Sequence, residues 1–121
     1  MGKYSDILMD HFTSPRNGGR MEEPDLVGVA GSPERPPYLV VQLRVREGRV
    51  VEAKFQTNGC GASIASGSML TELVTQRTIE ECLELTAERL AEALGGVPAD
   101  KLHCPVLAVG ALRDALKDYV P

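Results

Sequence analysis

Residues 41–56 read VQLRVREGRVVEAKFQ, and this stretch decides the fold class. Apolar residues alternate with mostly polar ones in two runs, which contain Val41, Leu43 and Val45 and then Val51, Ala53 and Phe55. Alternation with a period of two places every second side chain on the same face of a strand. Glu47-Gly48 separates the runs, and a short glycine-containing connection is typical of a hairpin turn. The stretch therefore predicts an antiparallel hairpin with one buried face.

Helical patterns lie on both sides of this hairpin. Apolar residues at helical spacing predict helices over residues 4–12 and 62–74. Capping signals at Thr78 with Glu81, and at Thr86, predict two short helices that run through Leu85 and Leu94. A last helix is expected to open at Cys104-Pro105, with Pro105 as its first helical residue, and to run to about Tyr119.

The segment before the hairpin, residues 20–37, is rich in glycine and proline and is predicted as loop, with a short strand near residues 26–30. The order of elements predicts an α+β fold: a small antiparallel sheet, the hairpin plus a possible third strand, packed against several helices. We expect a single domain over residues 1–121, because the chain has the length of one domain.

Composition excludes several functional classes. The net charge is −4, whereas nucleic-acid binding normally requires a basic excess, so no nucleic-acid partner is expected. No apolar run approaches the length of a membrane span, and residues 1–6 lack a signal-peptide core, so we expect a cytoplasmic protein with no membrane partner. Three cysteines in such a chain favour free thiols or metal ligands over a disulfide framework.

Two of the cysteines stand at predicted helix starts. Cys60 lies between Gly59 and Gly61, where the second strand gives way to a helix, and Cys104 follows His103 at the start of the last helix. Helix N-termini favour the thiolate, which is the form that binds metal or attacks sulfur. The alternative is that each is a small buried apolar residue, since free cysteine is often buried.

Three other residues have plain structural interpretations. Cys82 is predicted to be an ordinary helix residue, and His11 to lie on a helix surface or to be a packing histidine with its hydrogen bonds satisfied. Lys101 could reach whatever the two cysteines bind, although a solvated lysine is the simpler interpretation.

Three segments carry a family resemblance: residues 58–68 (NGCGASIASGS), residues 103–108 (HCPVLA), and residues 4–17, which contain His11 and end in Pro15-Arg16-Asn17. Together they resemble the scaffold proteins of iron–sulfur cluster assembly of the IscU/NifU N-terminal type. The resemblance implies a non-enzymatic scaffold or carrier that binds iron or a [2Fe–2S] or [4Fe–4S] cluster through Cys60, His103 and Cys104. It also implies a cysteine desulfurase as sulfur source and apo-proteins as recipients. If the chain accepts persulfide sulfur from such an enzyme, Cys104 is the expected acceptor, because it stands at a helix start beside His103.

The sequence departs from the family at one ligand. Family members carry Cys-Gly-Asp before the hairpin, and this tripeptide falls on Arg35-Pro36-Pro37. A guanidinium has no acceptor atom and cannot ligate a metal. Glu34 could substitute, or two protomers could supply two thiolates each, in a homodimer.

The departure leaves two alternatives beside the scaffold. One is a zinc-binding or persulfide-accepting module without a cluster, and the other is a metal-free adaptor that docks on assembly partners. A second departure, at residues 97–101, falls where the family presents a motif to an Hsp70-type chaperone, so that partner does not follow from the resemblance.

Overall fold

The computed structural model describes residues 4–121. Residues 1–3 lie outside the described part of the chain. They belong to the predicted domain and to the stretch 1–6, for which no signal-peptide core was predicted. The described elements follow the order α1 (Asp6–Thr13), β1 (Leu26–Ser32), β2 (Arg35–Arg46), β3 (Arg49–Thr57), α2 (Gly61–Val74), α3 (Ile79–Leu83), α4 (Ala87–Ala93), a 3₁₀ turn (Ala99–Lys101) and α5 (His103–Leu116). None of the helices described over residues 4–121 has the length and apolar character needed to cross a membrane.

The predicted hairpin is present as β2 and β3. Its turn residues Glu47 and Gly48 both have positive φ, 53° and 75°, which is the backbone of the turn that suits the twist of two paired strands. The inward face differs from the prediction at one position. A register shift after the Arg44–Glu52 pair leaves Val51 half-buried and brings Val50 fully into the core. A bulge inserts one residue and reverses the alternation beyond it.

The segment predicted as loop before the hairpin is largely strand. β1 runs on to Ser32, and β2 begins at Arg35, so the described strands form an antiparallel sheet in the order β1-β2-β3. Gly31 permits this, because its φ is +80° and a side chain there would overlap the carbonyl oxygen of Pro37. Two prolines in β2 masked its strand character, since proline usually argues against a strand.

The capping residues at the starts of α3 and α4 are the predicted ones, whereas several other helix bounds differ from the prediction by one to three residues. Thr78 and Glu81 form the predicted capping box, and the Thr86 hydroxyl accepts the Arg89 N–H. α5 begins at His103, two residues before the predicted first helical residue, so Pro105 is its third helical residue, and the helix ends at Leu116. Such shifts are common where a 3₁₀ turn leads into a helix.

The helices bury one face of the sheet. Inward residues of all three strands meet the apolar faces of α2 and α5 in one core, which includes Leu39, Val41, Leu43, Leu70 and Leu112. A side-chain oxygen of Asp114 in α5 accepts the backbone N–H of Val29 at 2.8 Å, which fixes α5 along the outer edge of β1. This packing brings the starts of α2 and α5 together at one end of the sheet.

Candidate functional site

Cys60 is the N-cap residue of α2 and is exposed to solvent. Burial alone would raise the pKa of its thiol, but hydrogen bonds from the backbone N–H groups of Ser63 and Ala62, and from the Cys104 and Ser63 side chains, lower it below the ordinary value. These amides belong to the first turn of α2, where N–H groups point out of the helix start, and the Ser63 N–H also donates to the Cys60 carbonyl oxygen at 2.9 Å. The structure therefore places Cys60 where a thiolate is stabilised.

Cys104 lies directly behind Cys60. The two Sγ atoms are 4.0 Å apart, and Cys104 has no solvent-exposed surface. It is the second residue of α5 rather than its cap. Burial raises its pKa, the hydrogen bond from Ser63 lowers it, and the charge of Cys60 raises it; the net direction is upward. The pair thus combines an accessible thiol with a buried thiol that holds its proton more tightly.

Ser63 joins the two cysteines and was missed in the sequence analysis. Its hydroxyl donates to the Sγ of Cys104 at 3.3 Å, and it is itself fully buried. The available signal was its spacing, because the third residue after an N-cap faces the same helix start. Ser63 therefore orients the buried sulfur from the helix that carries the exposed one.

His103 is the third predicted ligand. It is the first residue of α5 and is exposed. Within residues 4–121, no three His, Cys, Asp or Glu side chains are grouped closely enough to hold a metal ion in the conformation described. The structure thus brings Cys60 and Cys104 together and leaves His103 outside that pair, so its role as a ligand stays a prediction.

The segment Arg35-Pro36-Pro37, which the resemblance aligns with a Cys-Gly-Asp, approaches the residue before Cys60. Pro37 is next to Gly59, where an added Cβ would lie 3.2 Å from the Cβ of Pro37. The strand is fixed there by a 2.9 Å hydrogen bond from the Tyr38 N–H to the Asn58 side chain. Arg35 and Glu34 are exposed two and three residues before Pro37, and the Glu34 carboxylate accepts the Ser32 hydroxyl at 2.6 Å.

Lys101 also faces the cysteine pair. The negative charge of Cys60 is the largest cause that raises its pKa, followed by that of Tyr4, with a smaller contribution from Cys104. A lysine in this position adds positive charge near the two sulfurs. Burial raises the pKa of Cys104, whereas the charge of Lys101 lowers it, so the lysine favours an anionic sulfur at the site.

The two remaining candidates lie elsewhere. His11 is buried, and its Nδ1 is 2.7 Å from the Ser68 hydroxyl, as a packing histidine with a satisfied hydrogen bond would be. Cys82 is buried in α3, and its sulfur is 3.9 Å from the carbonyl oxygen of Val74, at the far end of α2 from Cys60. Burial raises the Cys82 pKa to about 11, which keeps this thiol neutral.

Comparison with known proteins assigns the family. Residues 3–121 match the family described as NifU-like N terminal domain. The chain belongs to this family. It is 47% identical over 116 residues to the iron–sulfur cluster assembly scaffold protein IscU 1 of Archaeoglobus fulgidus, covering 96% of this chain and 76% of the relative. It is 41% identical to IscU of Azotobacter vinelandii, covering 96% of this chain and 93% of the relative.

The fold of this NifU-like domain is also found among solved structures. The N-terminal part of a NifU-like protein from Brucella abortus superimposes with a TM-score of 0.71 and 21% identity, covering 95% of this chain and 92% of that one. The family predicted from the three sequence segments and the predicted α+β fold are therefore confirmed. These two curated relatives are named scaffold proteins, in agreement with a non-enzymatic homologue.

Proposed function

We propose that this NifU-like domain is a scaffold or carrier in iron–sulfur cluster assembly, with Cys60 and Cys104 as its thiolate ligands and His103 as a third donor. The cluster, or its iron, is the cargo of the protein. The observation that carries the proposal is the 4.0 Å separation of the two sulfurs, at a site reached from solvent through Cys60.

This separation suits a shared metal ion. Two sulfurs bound to one tetrahedral ion at about 2.3 Å each lie roughly 3.8 Å apart. The side chains of Cys60 and Cys104 therefore need to move only slightly to bind one ion. His103 precedes Cys104 in the chain, and a rotation of its exposed side chain would be needed to complete a three-donor set.

Arg35 limits what one chain can hold. It stands where the family carries a cysteine, in a segment whose Pro37 lies beside the cysteine site. One chain thus offers two thiolates, whereas a cluster usually takes four, which two protomers together would supply. We expect sulfur to come from a cysteine desulfurase and the cluster to pass to apo-proteins, in the cytoplasm, where thiols stay reduced.

A second candidate function follows from the positive charge of Arg35, which stands where a third thiolate is expected. Without a third thiolate, the site could hold zinc or accept persulfide sulfur and never assemble a cluster. Zinc accepts the same mixture of cysteine and histidine ligands. The nature of the bound metal therefore separates the two candidates.

Anaerobic reconstitution with iron and sulfide tests the proposal. We expect visible charge-transfer absorption and bound iron in the wild-type protein, and loss of both in Cys60→Ser and in Cys104→Ser. Cys82→Ser is the matched control, because its thiol lies away from the site, and it should reconstitute normally. A colourless protein that binds stoichiometric zinc would support the second candidate. A protein that binds neither metal would leave the metal-free adaptor.

A further inference from the structure

The two thiols of the site differ in their access to solvent. Cys60 is exposed, whereas Cys104 is completely buried 4.0 Å behind it. A sulfur donor that approaches from solvent therefore meets Cys60 first. Dithiol exchange requires an accessible thiol that attacks the donor and a second thiol close behind it, and Cys60 and Cys104 are arranged in this way.

We propose that Cys60 receives sulfane sulfur as a persulfide and that Cys104 then resolves this persulfide, releasing sulfide on the exposed side of Cys60. The inference rests on the proposed function in one respect, since a scaffold must obtain sulfide from a more oxidised sulfur donor. It reverses the order expected from the sequence, in which Cys104 was the acceptor.

The resolving step balances without another reagent. The Cys104 sulfur attacks the inner sulfur of the Cys60 persulfide, and a Cys60–Cys104 disulfide bond forms. The bond between the inner and outer sulfurs breaks, and its electron pair leaves with the outer sulfur. The outer sulfur is thereby reduced, takes the Cys104 proton and leaves as hydrosulfide. The Cys104 sulfur is oxidised in exchange, and the Cys60 sulfur keeps the oxidation state that it already has in the persulfide.

Geometry favours attack at the inner sulfur. Thiol exchange proceeds in line, so the leaving sulfur must lie on the side opposite the attacking one. Because Cys104 lies on the buried side of Cys60, an outer sulfur that points towards solvent stands on that opposite side. The hydrogen bond from Ser63 holds the Cys104 sulfur in place for the approach.

No third thiol of this chain can reopen the disulfide. Arg35 stands where a further cysteine would be, and Cys82 lies near Val74, at the other end of α2. The 14 residues of α2 separate the two ends by about 20 Å, given the helical rise per residue. A reductant from outside, such as a dithiol, must therefore restore the two thiols before they can bind metal again.

The test uses the full chain, metal-free and anaerobic, with one equivalent of glutathione persulfide as donor. Wild-type protein should release about one sulfide per chain, measured colorimetrically. Peptide mapping should show a Cys60–Cys104 disulfide, which needs no substitution to detect. Cys82→Ser, the control, should behave in the same way.

Two variants separate the steps. Cys104→Ser should keep one added sulfur atom on Cys60 and release sulfide at least about tenfold more slowly, because the resolving thiol is gone. Cys60→Ser should gain no sulfur, since the remaining site cysteine is buried. Persulfide found on Cys104 without a disulfide, a glutathionyl adduct on Cys60, or unchanged release from Cys104→Ser would each overturn the proposal.

Zinc titration of the same reduced samples distinguishes the two proposals. Zinc binding without sulfide release overturns the resolving role alone. Sulfide release without binding of zinc or iron overturns the metal site and leaves the sulfur chemistry standing.

Discussion

The side-chain oxygen of Ser68 in α2 lies 2.7 Å from Nδ1 of His11 in α1 and also accepts the backbone N–H of Arg16 at 2.9 Å. One buried hydroxyl thus fixes both α1 and the turn that follows it onto α2. Ser68→Ala would leave the Nδ1 of the buried His11 and the partly buried backbone N–H of Arg16 without their hydrogen-bond partner. We expect the free energy of unfolding, measured by urea denaturation, to fall by about 2 kcal/mol.

Ser66→Ala is the matched control for this substitution. Ser66 is equally buried in α2, but its hydroxyl donates to the carbonyl oxygen of Ala62 one turn earlier. That carbonyl belongs to the helix and keeps its backbone partner, so the loss should be under about 1 kcal/mol. Equal losses in the two variants would show that Ser68 does not anchor α1.

Two glycines in helices should respond oppositely to alanine. At Gly67 in α2, an added Cβ would overlap the Phe55 ring, whereas at Gly110 in α5 it would meet the Cβ of Ala30 at an ordinary 3.5 Å. Alanine favours a helix over glycine by about 1 kcal/mol. Gly110→Ala should therefore leave stability unchanged or raise it, while Gly67→Ala should lower it by about 1–3 kcal/mol because of overpacking. Thermal unfolding measures both, and stabilisation by Gly67→Ala would contradict the described α2–β3 contact.

The buried Cys82 thiol should make the protein less stable in alkali. Its pKa is raised to about 11 by burial, against an ordinary value of 9.0. Between these values the unfolded chain releases this proton and the folded chain keeps it, so stability falls as pH rises. The loss between about pH 8 and about pH 10.5 should be roughly 2 kcal/mol larger in wild type than in Cys82→Ala. Parallel stability curves for the two proteins would show that the thiol ionises freely in the folded state.

Arg35→Cys should restore the missing thiolate. The segment runs beside the site, since Pro37 lies against Gly59, so a thiol two residues earlier should face the metal in place of a cation. We expect zinc affinity, measured by calorimetry, to rise by at least about tenfold, because a ligand is gained and a repulsive charge is lost.

Arg46→Cys provides the control for Arg35→Cys, because Arg46 is exposed at the opposite end of the same strand. It should leave zinc affinity as it is in wild type. An unchanged affinity in Arg35→Cys as well would mean that β2 no longer presents this position to the cysteines, and would favour the metal-free adaptor.

The sequence by itself determined the local elements and the family. Alternation around Glu47-Gly48 predicted the hairpin, and Thr78 with Glu81 predicted a cap that the structure contains. These features depend on neighbouring residues, whose preferences are visible in a short stretch. The family followed in the same way, because the segments around Cys60 and around His103-Cys104 could be matched without coordinates.

Tertiary structure decided what depends on residues far apart in the chain. The bulge that turns Val50 inward arises from the pairing of two strands. The prolines of β2 are tolerated because they fall at the register shift between β1 and β2, where neither has a pairing partner in the described sheet. The different exposure of Cys60 and Cys104 likewise appears only when α2 and α5 pack side by side. Both cysteines stand near helix starts in the sequence. Packing of α2 against α5 places the Cys60 sulfur between solvent and the Cys104 sulfur, so only Cys60 is exposed.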